Sequence, residues 1–176
     1  VSVVDPDSGS DVDVNFDGSG ELDYSSLSSI FSEFTIASAT YSNTFLNVSG
    51  QDTSPQSLFF SPDGSKLYIL GDSNTSVFQY NLPISWDISS LSTVTPNASF
   101  IIGSVESTPN GLFFSYDGSK MYVLGVNSDS VHQFDLSTPW DISTANSTPV
   151  GSFSFSSEEL AATDVSFSPD GSKMYV

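Results

Sequence analysis

The chain has 176 residues, of which 21 are Asp or Glu against three lysines and no arginine, for a formal net charge of −18. That balance leaves no basic face for nucleic acid or for an anionic membrane, and suits a self-repelling protein that attracts cations. There is no cysteine, so disulfide and thiolate chemistry are excluded, and no apolar run reaches the roughly 18 residues of a membrane-spanning helix.

Residues 1–37 read as an acidic segment and residues 38–176 as a repeat region. The opening, VSVVDPDSG, has neither the basic start nor the apolar core of a signal peptide, and no initiator methionine. Residues preceding Val1 are therefore expected in the natural protein. Within the segment, NFDGSGELDYSSL at Asn15–Leu27 resembles an EF-hand calcium loop. The resemblance implies oxygen ligands from Asn15, Asp17 and Ser19, a sharp turn at Gly20, the backbone carbonyl of Glu21, and a water-bridging Asp23. A tight loop points alternate side chains at a hard cation that takes 6–8 oxygens. Ser26 stands where a bidentate glutamate normally closes the set, so the calcium site implied is a weak one. A second register over Asp13, Asn15, Asp17 and Gly18 resembles dockerin loops, and ends no better, on Tyr24. An acidic linker is the other reading. Further on, Leu27, Ile30, Phe31 and Phe34 recur at helical period, though the serines between them weaken the propensity; a short helix and coil both stay open.

From Tyr41 the pattern changes to short runs of aromatic and β-branched residues bounded by Gly, Pro, Asp, Asn and Ser, which is the strand signature. YSNTFLNVS at Tyr41–Ser49 reads as a fourth strand preceding the first hairpin. SLFFSPDGSKLYILG at Ser57–Gly71 returns as GLFFSYDGSKMYVLG at Gly111–Gly125 and as VSFSPDGSKMYV at Val165–Val176. The spacing is 54 residues from Ser61 to Ser115, 53 from Ser115 to Ser168, and 54 from Trp86 to Trp140. In the SPDG turn, proline presets φ, aspartate bonds its own backbone and glycine accepts positive φ. Each unit supplies four strands, the third at Ser76–Leu82 and Ser130–Leu136, the fourth at Ala98–Ser104 and Gly151–Ser157. The expected fold class is all-β: four-stranded antiparallel blades of a β-propeller, incomplete in this chain, after the acidic segment. Propellers close with 4 to 8 blades, so the expectation is a piece of a longer protein.

These hairpins resemble the SPDG-K-x-Y-V hairpins of YVTN-type bacterial and viral β-propellers over residues 38–176. The resemblance implies the fold and leaves function open, because such blades occur in surface-layer proteins, lactonases, adhesins and phage virion proteins.

Lys66, Lys120 and Lys173 share one repeat position and are expected to meet Asp63, Asp117 or Asp170 across the turn, a contact of little energy when exposed. Trp86 and Trp140 sit in matching WDIS loops. An exposed indole is a ligand-stacking platform; the identical repeat position favours packing over its own blade. Asp87 and Asp141 beside them are expected to stabilise turns. His132, the one histidine, stands where the first repeat has Phe78, and reads as a packing residue. The Asn-x-Ser/Thr sites at Asn47, Asn74, Asn97 and Asn146 carry little weight in so serine-rich a chain. No nucleophile–base, paired-carboxylate, phosphate-loop or zinc spacing is present, so no catalytic residue is assigned. The reading is a non-enzymatic binding or structural module of an extracellular surface or virion, in adhesion, in protein or glycan recognition, or in homo-oligomer or fibre assembly. The alternative is a lactonase-like propeller hydrolase.

Overall fold

The computed structural model describes residues 2–4, 11–13 and 39–176. The chain divides into two units, Val1–Ser42 and Asn43–Val176. In the first, β1 (Ser2–Val4) pairs antiparallel with β2 (Asp11–Asp13). The calcium-loop residues Asn15, Asp17, Ser19, Glu21 and Asp23, and the Leu27–Phe34 helix pattern, lie outside the described residues.

The second unit is built of antiparallel sheets. Blade 1 is β3 (Pro55–Phe60), β4 (Lys66–Gly71), β5 (Ser76–Asn81) and β6 (Ala98–Ile101); blade 2 is β7 (Pro109–Phe114), β8 (Lys120–Gly125), β9 (Ser130–Asp135) and β10 (Gly151–Ser154). A third hairpin, β11 (Ser166–Phe167) with β12 (Met174–Tyr175), begins the next unit. The repeat thus folds as propeller-type blades, with β3 and β7 as neighbouring first strands. No described helix is long and apolar enough to cross a membrane.

Strand alternation gives each blade two apolar faces. Leu67, Ile69, Phe78 and Tyr80 form one face of blade 1, while Tyr68, Leu70 and Val77 turn the other way. The latter meet Leu112, Phe114, Met121, Val123 and Phe134 of blade 2 in one buried cluster. Blade 2 repeats the arrangement, turning Leu124 and Val131 toward Val165 and Phe167 of the third unit.

Two expectations need correction. Tyr41–Ser49 forms no strand. Leu46 and Val48 pack on blade 1, in the repeat positions of Phe100 and Ile102, but a strand also needs a continuous ladder with a neighbour, and residues 41–49 carry no strand ladder. The lysines, second, do not meet the turn aspartates. Lys120 Nζ reaches Asp135 Oδ1 at 2.9 Å and Lys66 Nζ reaches Asn81 Oδ1 at 3.2 Å, because those residues stand directly opposite in the β8–β9 and β4–β5 registers. The turn carboxylates are already engaged: Asp117 accepts from Ser115 Oγ at 2.6 Å and from Ser119 N at 3.0 Å. The Ser115 hydroxyl, then the Ser119 amide and hydroxyl, hold that carboxyl down at about 2.

The WDIS loops lock onto these turns. Trp86 and Trp140 both adopt φ +64, a left-handed conformation costing a side-chain-bearing residue about 1–2 kcal/mol. Their amides donate to the carbonyls of Gly64 (2.9 Å) and Gly118 (3.0 Å), and their indoles lie on those glycines so closely that a Cβ there would overlap the ring. A short 3₁₀ turn follows each tryptophan, capped as expected by Asp87 and Asp141, which accept from Ser89 N (2.8 Å) and Ser143 N (3.0 Å).

The two indoles differ in what lies on their far side. Trp140 stacks on Phe59 of blade 1 (centroids 6.3 Å apart, planes 17° apart) and on its own Phe114 (5.7 Å). Trp86 contacts its own Phe60 and stays 59% exposed. In urea titrations Trp140→Ala is expected to cost about 3 kcal/mol, the low end of the range for a core aromatic truncation, because Trp140 is partly buried. Trp86→Ala should cost about 1 kcal/mol or less; equal losses would contradict the interlock.

Candidate functional site

Two features outside simple packing stand out: a cleft and a buried polar cluster. The cleft lies where the SPDG-type turns of the three units converge, and encloses about 470 Å³. Its floor is aromatic (Phe59, Phe113, Tyr122, Trp140 and Phe167), and Asp117 and Asp170 stand among the polar residues of its lining. A smaller hollow of about 280 Å³, bordered by Tyr122, Gln133 and Phe167, continues along the same face of blade 2.

The polar cluster is centred on Glu106, in the connection between β6 and β7. It is 2% exposed. Its Oε1 accepts from Thr108 N (2.7 Å), and its Oε2 from Ser128 N (3.1 Å) and Ser128 Oγ (2.6 Å). Burial raises this carboxyl, but the Ser128 hydroxyl and the amides of Thr108, Ser128 and Asn127 together outweigh burial and hold it below the ordinary range. Asp52 does the same work in blade 1, accepting from the amides of Ser54 (2.7 Å), Ser73 (3.3 Å) and Asn74 (2.7 Å). Each carboxylate ties the entry of its blade's first strand to the turn between the second and third. Gly71 and Gly125 end the second strands because a Cβ there would overlap these carboxylates.

Glu159 is the third member, accepting from the amides of Leu160 and Ala161 at 2.9 and 2.8 Å. Spacing alone does not assign a role to Asp52, Glu106 and Glu159. The available signal was an acidic residue recurring at intervals of 54 and 53.

His132 is buried beside Glu106, with Nε2 3.9 Å from Oε2. Nε2 lies 3.0 Å from Ser128 Oγ and Nδ1 2.8 Å from Ser152 Oγ. The network assigns the tautomer. Ser128 gives its proton to the carboxylate, so its oxygen accepts from His132 Nε2–H, and Nδ1 is left to accept from the Ser152 hydroxyl. Chemically, a neutral imidazole is aimed at an exposed serine hydroxyl. Burial lowers the His132 pKa, and the opposing effect of Glu106 does not overcome it.

The described residues singled out from the sequence are not gathered in one place. Trp140 lines the cleft, Trp86 lies exposed on blade 1, and the calcium-loop residues lie outside the described residues. Among the described residues no group of three His, Cys, Asp or Glu is arranged to hold a metal ion.

No protein-family model matches the chain, and no curated protein matches it significantly. Solved structures do. A Bacteroides uniformis protein carrying the provisional name 6-phosphogluconolactonase is 16% identical, with TM-score 0.51 over 68% of this chain and 32% of its own. Hydrazine synthase of Kuenenia stuttgartiensis is 21% identical, with TM-score 0.50 over 78% of this chain and 32% of that one. A Lactobacillus plantarum protein is 20% identical, with TM-score 0.50 over 69% and 33%. The chain spans about a third of the length of each. At these identities the likeness establishes the propeller-type fold alone.

The His132 cluster makes stability depend on pH. Because the folded value lies below the ordinary 6.5, the unfolded chain takes up the proton first, so stability is full above pH 6.5 and declines as pH falls below it. His132→Phe, which restores the residue of blade 1, is expected to flatten the melting temperature between pH 6.5 and 5. An unchanged slope would remove His132 as its source.

Proposed function

We propose that the chain supplies blades of a non-enzymatic β-propeller of the YVTN-type kind, binding a protein or a glycan at an extracellular, cell or virion surface. One observation carries this reading. The acidic groups that the blades bury, Asp52 and Glu106, have their oxygens committed to the backbone, whereas large aromatic groups are presented outward: Trp86 is 59% exposed and Tyr116 82%. Trp86 is the stacking platform in this proposal, and Trp140 belongs to the blade interface. Weak calcium binding at Asn15, Asp17, Ser19, Glu21 and Asp23 would rigidify the acidic segment.

A second reading, a propeller hydrolase, has its own support. His132 with its Nδ1 directed at Ser152 Oγ is an acid–base arrangement, and the name of the Bacteroides uniformis neighbour favours lactone chemistry. That name speaks for this alternative, and no comparison speaks for adhesion.

The two readings part on one set of variants. On immobilised glycan arrays, Trp86→Ala should weaken retention at least tenfold with unchanged circular dichroism, and the parent chain should hydrolyse aliphatic lactones no faster than His132→Ala. Lactone turnover lost in both His132→Ala and Ser152→Ala would replace binding with hydrolysis.

A further inference from the structure

The network of Glu106, Ser128 and His132 ends on Ser152, and the fold does not require it. Blade 1 keeps the clamping carboxylate, Asp52, and the outer serine, Ser99. It has Asn74 in place of Ser128 and Phe78 in place of His132. Its β4–β5–β6 ladder nevertheless has the register of β8–β9–β10. A blade therefore forms without the histidine and without the Ser128 hydroxyl.

The ladder sets the place of Ser152. His132 and Ser152 stand opposite each other across β9–β10. Just beyond them Phe155 N bonds Asp129 O at 2.9 Å, and bonded and unbonded pairs alternate along an antiparallel ladder. His132 and Ser152 are thus an unbonded pair, the kind whose side chains lie closer. This brings Nδ1 within 2.8 Å of Ser152 Oγ. The Ser152 N–H points away from β9, to the outer edge of the sheet, since β10 pairs with β9 alone. Ser152 is exposed, whereas His132 is only 6% exposed.

Hydrogen bonds run one way along the network. The Glu106 carboxylate only accepts, so the Ser128 hydroxyl proton is spent on it. Ser128 Oγ then accepts from His132 Nε2–H. Nδ1 is left with its lone pair, and the Ser152 hydroxyl donates to it. A base that receives a serine proton, oriented by a third group on its other nitrogen, is the arrangement that activates a nucleophile. Burial keeps the imidazole neutral and able to accept. Glu106, 3.9 Å from Nε2, offsets the charge that forms when it does.

We propose that Ser152 is a nucleophile that takes a short acyl group from an activated ester, an aryl ester or a thioester, in a single transfer. Ser152 Oγ bonds the acyl carbon as its proton passes to His132 Nδ1. The oxyanion that develops is met by the outward Ser152 N–H. The bond from the acyl carbon to the leaving oxygen or sulfur then breaks, and Nδ1–H returns the proton to the departing group. One acyl linkage is exchanged for another, with no change of oxidation state. The reaction stops there, because the new ester covers the buried Nδ1 against water. Ser128 acts through His132 by fixing its tautomer, and is a positioning residue. The inference goes beyond the binding reading, which a single acylation leaves intact.

The test mixes the full 176-residue chain with p-nitrophenyl acetate at neutral pH and follows release of p-nitrophenolate. A burst of one equivalent is expected, with the acetyl group located on Ser152 by peptide mass spectrometry. Hydroxylamine should remove it, as it removes esters and leaves acetylated lysines untouched. His132→Phe, which installs the residue of blade 1, should slow the burst at least about tenfold, and Ser152→Ala should abolish it. His132 is the one histidine, so its ring nitrogen chemical shifts report the tautomer directly. They should show Nε2 protonated in the parent chain, and that preference should be lost in Ser128→Ala together with a several-fold slower burst. Absence of a burst, acetylation elsewhere alone, or a burst indifferent to His132→Phe overturns the proposal. Unchanged nitrogen shifts in Ser128→Ala overturn the positioning role. Turnover past one equivalent that needs both His132 and Ser152 overturns the single transfer and supports the hydrolase reading in its place.

Discussion

The contact on which the described blades depend is the clasp of the Trp140 loop between blade 1 and blade 2. A four-stranded sheet with two apolar faces is stable only when both are covered, and here the covering group comes from the next repeat. The loop is positioned by its own turn: the indole lies on Gly118, the tryptophan amide bonds the Gly118 carbonyl, and φ is held at +64. With the backbone fixed, the Trp140 carbonyl and the Ile142 amide fall at the reach of Tyr68 and Gln79. Specificity between blades therefore comes from two hydrogen bonds to backbone and one stacked ring, and it can repeat with every unit that keeps these residues.

The same economy governs the acidic residues. A chain so rich in carboxylates suggests metal or acid–base chemistry, yet the described carboxylates are largely committed to backbone. Asp63, Asp117 and Asp170 hold the first hairpin turns, Asp87 and Asp141 cap the 3₁₀ turns, and Asp52 and Glu106 bind the second turn to the strand entry. A carboxylate whose oxygens are taken up by backbone amides and neighbouring serine hydroxyls is held in one orientation, which makes it a good structural clamp. His132 is the exception, since its network leaves one ring nitrogen facing an exposed serine.

Much of the architecture was legible because its causes are local. Strand alternation, the SPDG turn and the capping role of Asp87 and Asp141 are decided within a few residues, and the 54-residue spacing between Trp86 and Trp140 showed that the unit repeats. What was not legible is set between distant residues. Trp86 and Trp140 have the same local sequence and differ in exposure only because blade 1 stands on the far side of one of them. Ser128, Ser152 and Glu106 converge on His132 from 4, 20 and 26 positions away, separations that no short motif encodes. Tyr41–Ser49 misled in the opposite sense. Its alternation is that of a fourth strand and its side chains pack as one, yet pairing is a property of the neighbour.

The most direct measurement of the account is a double-mutant cycle in urea between Phe59→Ala in blade 1 and Trp140→Ala in blade 2. If the loop clasps the two blades together, the losses should be coupled by about 1 kcal/mol, the size of a stacked aromatic pair beyond its buried area. Additive losses would mean that each ring stabilises only its own blade, and would contradict the interlock.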